Sequence, residues 1–130
     1  MKARARGKKG NLRLAKFKLK TKLGGAFAAA NPAVDQLVLQ VSGDDGTVIC
    51  TRLDPWLHKG KSFRFLGGTT GLTKGVFRVR RSGVGLKIVG RDLDLHALPG
   101  SEIRAVVRIG NRCARGLAPM RQMPKALLAP

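Results

Sequence analysis

Residues 77–89 read FRVRRSGVGLKIV, and this stretch decides the fold. Apolar and cationic residues alternate on both sides of a short turn that holds Gly83 and Gly85. Successive side chains on a β-strand point to opposite faces, so a period of two is the pattern of a strand with one face buried. Two such runs around a glycine-containing turn predict a β-hairpin. One side of that hairpin, with Phe77, Val79 and Ile88, needs a core. The other carries Arg78, Arg80 and Lys87.

The same alternation recurs along the chain. LRLAKFKLKTKL (12–23) changes parity between Leu14 and Phe17, which predicts a bulge near Ala15–Lys16. QLVLQV (36–41) puts Leu37, Leu39 and Val41 on one face, and SGDDG turns the chain into TVICTRL (47–53). SFRFL sets Phe63 and Phe65 against Arg64, and SEIRAVVRIG sets Ile103, Ala105, Val107 and Ile109 against Arg104 and Arg108. Turn signals about every ten residues predict an all-β fold, an antiparallel β-sandwich, with a small β-barrel as the alternative. The expected core is Leu19, Leu37, Leu39, Cys50, Phe63, Phe65, Phe77, Val79, Ile88, Val107 and Ile109. Between Gly25 and Pro32 an alanine-rich loop has room for one helical turn. Residues 1–10 have almost no apolar content and read as a basic N-terminal arm. Residues 11–116 form the expected sandwich domain. Residues 117–130, with three prolines and no period, read as an irregular C-terminal tail.

The charge limits the partners. Among 130 residues, 26 are Lys or Arg and 7 are Asp or Glu, a net charge of +19. A domain this basic repels itself and attracts polyanions. The strand cations expected at a polyanion are Lys18, Lys20, Lys22, Arg78, Arg80, Lys87, Arg104 and Arg108, joined by Lys2, Arg4, Arg6, Lys8 and Lys9 of the arm. The competing reading is that these cations keep strands soluble and block edge pairing. Aromatics are few: five Phe, one Trp and no Tyr. Modules that read single-stranded bases need exposed aromatics for stacking. No run approaches the roughly 18 apolar residues of a membrane span. The basic start is not followed by an apolar segment, so no export signal is visible.

Little points to an enzyme. Nucleophile elbow, phosphate-cradling glycine loop and metalloprotease patterns are absent. No cofactor, metal or small-molecule substrate is expected. Cys50 and Cys113 admit a disulfide, two separately buried thiols, or a metal site completed by His58 or His96. Asp92, Asp94 and His96 share a strand face and fit either a cation or acid–base site or a solvated face. Trp56, after Pro55, is either a plug at one end of the core or a ligand-stacking platform.

The order of several segments adds a resemblance: LAKFKLKTK, then NPAVDQLVLQVSGDDGTVI, DPWLHKGKSFRFLGG, GLTKGVFRVRRSGVGLKIVGRDLDL and ALPGSEIRAVVRIGNRCARG. Over roughly residues 12–116 the chain resembles an uncharacterised β-rich repeat module of predicted exported Gram-negative bacterial proteins. The resemblance implies a non-enzymatic structural or adhesive module at the cell surface or outside the cell. Such a module would assemble with copies of itself into a homo-oligomer or larger array, or grip an anionic glycan. Composition favours a nucleic-acid-binding or packaging protein instead.

Overall fold

The structure, a computed structural model, describes residues 1–7, 12–44, 46–67, 71–81, 83–96, 102–119, 121–123 and 126–129, the last three segments from residue 117 onward by backbone alone. The hairpin of residues 77–89 is present as β7 (Gly71–Arg80) and β8 (Gly83–Leu93). Phe77 pairs with Leu86, Val79 with Val84 and Gly75 with Ile88 on the buried side. Around it lie β1 (Lys2–Gly7), β2 (Ala15–Leu23), β5 (Trp56–Lys59), β6 (Ser62–Leu66), β11 (Arg121–Met123) and β12 (Ala126–Ala129). These make one antiparallel sheet in the order β11-β12-β1-β2-β8-β7-β6-β5. The second sheet has the order β10-β9-β3-β4, from β3 (Leu37–Gly43), β4 (Gly46–Leu53), β9 (Glu102–Ile109) and β10 (Arg112–Pro119). Both sheets keep free edges, so the fold is a sandwich and not a closed barrel.

A single apolar cluster joins the inner faces of the two sheets. Phe17, Leu19, Phe77 and Ile88 come from the large sheet, and Leu37, Leu39, Ile103 and Ile109 from the small one, all nearly inaccessible to solvent. Of the expected core, Val79 is only half-buried against the cluster, and Cys50 is exposed. The apolar run Val48-Ile49-Cys50 permits either parity. Val41 pairs with Ile49 but Ser42 with Thr47, so Val48 is an extra residue in a bulge. That register buries Ile49 and Leu53, which remove more apolar surface from water than the thiol would.

Two further expectations need correction. Residues 2–7 are not an arm. They form β1, held between β2 and β12, with Ala3 and Ala5 buried. Alternation of cation with alanine is still a period of two, and methyl groups suffice where neighbours supply the volume. The tail is not irregular either. β10 runs to Pro119 opposite Glu102, and β11 and β12 form a hairpin that pairs with β1, Ala3 opposite Ala129. Pro119 is tolerated because β10 is an edge strand. The bulge expected near Ala15–Lys16 is present: after a 3-10 turn at Leu12–Leu14 the register shifts between Ala15 and Phe17, with the extra residue on β8. Ala15 pairs with Leu93 and Phe17 with Gly90, while Asp92 takes a left-handed φ of 52°.

Trp56 is a plug, not a platform. It is 3% exposed, its Nε1 donates to the Leu53 carbonyl at 2.9 Å, and its ring lies 5.8 Å from that of Phe65. Gly75 is required beneath it: a Cβ there would meet the Trp56 ring at 2.7 Å. The loop before β3 holds a 3-10 turn, Gly25–Ala29, that buries Phe27.

Candidate polyanion-contacting face

The outer face of the large sheet is built from the side chains that the buried alternation turns away from the core. Strand pairing sets them in rows. Lys2 lies opposite Lys20, and Lys20 opposite Lys87. Arg4 lies opposite Lys18, and Arg6 opposite Lys16. Lys22 and Arg78 flank Gly85 from either side. Neighbours sit about 5 Å apart across strands and about 7 Å apart along them. Asp92, in the bulge, is the sole acidic residue in the strands of this sheet.

Like charges opposite or diagonal to one another on one sheet face repel and destabilise the sheet. The effect registers at Lys87, a half-buried member of the longest row. Its amino group is held below the ordinary lysine value of 10.5, first by the charge of Lys18, then by desolvation and by Lys20 and Lys74. An unfolded chain therefore binds this proton more readily than the folded one. Stability should rise with pH between the lowered value and 10.5, and charged Lys87 is a cost to the fold at neutral pH. Solubility alone is met by mixed charges and needs no such rows.

Gly85 leaves a gap in the middle of the face. Nothing lies within 4 Å of where its Cβ would be. The result is a groove of about 630 Å³, with Gly85 and Val76 in its floor and Lys20, Lys22, Arg78, Arg80 and Lys87 along it. Every aromatic side chain is buried: Phe17, Phe27, Trp56, Phe63, Phe65 and Phe77. The face offers cations and no Phe or Trp ring.

The structure divides the expected cations. Lys2, Arg4, Arg6, Lys18, Lys20, Lys22, Arg78, Arg80 and Lys87 share the large-sheet face. Arg104 and Arg108 project from β9 on the opposite side of the molecule. Lys8 and Lys9 lie outside the described residues. Lys16 and Lys74 belong to the large face but were not expected there. Lys16 has the parity of Lys18 and was readable. Lys74 has the parity of Arg78 and was readable too.

The cysteine readings fail. Cys50 and Cys113 are both free and exposed. They sit on β4 and β10, the two edge strands of the small sheet. Three strand spacings separate them, about 14 Å, and a disulfide tolerates a Cα separation of about 7 Å at most. Among the described residues, no three His, Cys, Asp or Glu side chains are placed to hold a metal. Native protein should therefore yield both thiols to an aromatic disulfide reagent as fast as denatured protein does. Slow or partial reaction would show that these edges are covered.

Asp94 and His96 form a local pair. The Asp94 carboxylate accepts from the His96 backbone N–H at 3.3 Å and contacts Nδ1 of the same ring, and both side chains are about half exposed. Hydrogen bonds from His96 hold the Asp94 carboxyl below its usual range. No third ligand joins them among the described residues, and the half-exposure of both side chains is that of a solvated face. No described helix is long and apolar enough to cross a membrane. Compared with protein-family models, curated proteins and solved structures, this chain matches none.

Proposed function

We propose that this protein is a non-enzymatic structural β-module that holds an anionic polymer by charge across the outer face of its large sheet, and that the polymer is double-stranded nucleic acid. The observation that carries this reading is the set of cross-strand cation rows, Lys2–Lys20–Lys87 above all, with Asp92 as the one acid in that sheet. An anionic chain laid across the rows replaces repulsion with attraction. Duplex backbone is bound by Lys and Arg with no base contact required. Burial of all six aromatics argues against single strands, which are held by stacking. An adhesive module gripping sulfated glycans would use the same cations. The face, however, presents no aromatic or amide side chain in β1, β2, β6, β7 or β8 for reading sugar hydroxyls, and Asp92 is the one carboxylate in those strands.

Titration of a labelled short duplex at several salt concentrations tests the reading. Six to eight phosphate contacts predict a log–log slope of about −5 to −7. Affinity should be the same for unrelated sequences. Absence of duplex binding at low salt rejects the proposal, and heparin binding in that same absence transfers the face to glycans.

A further inference from the structure

The small sheet presents a second cationic face that the first polymer cannot reach. Arg52 lies opposite Val38, Val38 opposite Arg108, and Arg108 opposite Cys113. Arg115 stands in the next outward row, opposite Val106, and Arg104 lies opposite Ser42. All four arginines are exposed. Glu102, at the start of β9, is the single acid in the four strands. The shared core lies between the sheets, so these arginines point away from the lysine rows of the large sheet.

We infer that the protein bridges two duplex segments, one on each face of the sandwich, and so draws nucleic acid together. This rests on the reading of the large-sheet face as a duplex site. Charge complementarity is the first argument: both faces are cationic, and each has one acid in its strands. Stiffness is the second. Duplex DNA bends over a persistence length of about 150 base pairs, while the stacked sheets are only about 10 Å apart. A duplex on one face therefore cannot fold round to the other, and the four arginines are left for a second segment. The second face is the weaker, with four arginines against the nine or more cations of the first. Capture of the second duplex should be lost at lower salt than binding of the first.

A sandwich capture experiment tests this. Duplex is immobilised, loaded with protein at low salt and washed, and a second labelled duplex of unrelated sequence is then added. Wild type should capture it. In the variant R52Q/R104Q/R108Q/R115Q, loading on the immobilised duplex should persist, while capture of the second falls to the level of a protein-free surface. The corresponding four Arg→Lys changes should restore capture, because only charge is required. Loading without capture by wild type overturns the bridge and leaves the first site standing. Undiminished capture by the Gln variant also overturns it, since another copy's large face would then be holding the second duplex. Capture of heparin but not of duplex overturns nucleic acid as the occupant of the second face. Failure to load at all rejects the underlying reading instead.

Discussion

Phe77→Ala should lower the free energy of unfolding by about 3–5 kcal/mol, the range for truncating a fully buried aromatic. Phe77 has no exposed surface and lies on β7, an interior strand of the large sheet. Its ring meets Phe63 nearly edge-on, 5.8 Å between centroids, and it pairs across the hairpin with Leu86. Truncation removes the ring from the centre of a two-layer core, where β6 and β8 on either side prevent the sheet from closing over the gap. A domain of this size has about 5–15 kcal/mol in total, so the variant should be visibly less stable. Urea unfolding measures it, read as a shift in midpoint at constant slope. A loss under about 1 kcal/mol, typical of an arbitrary substitution, would mean that the inward face of the hairpin is misassigned.

Arg78→Gln, Arg80→Gln and Lys87→Gln together should weaken duplex binding on the order of 10²- to 10³-fold near 0.1 M salt. The electrostatic part of the affinity scales with salt to the power of about −0.9 per phosphate contact, so three lost contacts also flatten the slope by about 3. Stability should hold or rise. Arg78 and Arg80 are exposed, and replacing Lys87 removes its repulsion with Lys18 and Lys20. The same titration used for wild type, with a thermal melt beside it, reads both effects. Unfolding of the triple variant would mean that the face is covered in the native protein. Unchanged affinity and slope would place the duplex elsewhere. Deleting residues 1–10 is not an equivalent test, because β1 is paired on both sides and its loss would open the large sheet.

Much of this was legible because strand periodicity is local. Alternation in FRVRRSGVGLKIV and SEIRAVVRIG is enough to say which residues turn inward, since neighbouring side chains on a strand must oppose one another. The hairpin's cations were found for that reason, and so were Arg104 and Arg108. Where the pattern was ambiguous, reading failed. Val48-Ile49-Cys50 offers apolar residues at both parities, and the bulge opposite Ser42 made the choice. In KARARG the apolar side is methyl groups alone, too weak a signal without the partners that complete it.

The sequence by itself determined the all-β class, the inward set apart from Cys50, and the excess of positive charge. The tertiary structure alone decided which strands are neighbours. It placed β1 between β2 and β12, whose pairing partner lies at the far end of the chain. It set Lys2, Lys20 and Lys87 in one row, sent Arg104 and Arg108 to the opposite face, and put Cys50 and Cys113 on separate edges. The reason is physical. The direction of a side chain follows from its own strand, whereas the row it joins depends on cross-strand register between segments far apart in the chain, and register is selected by the packing of the whole core.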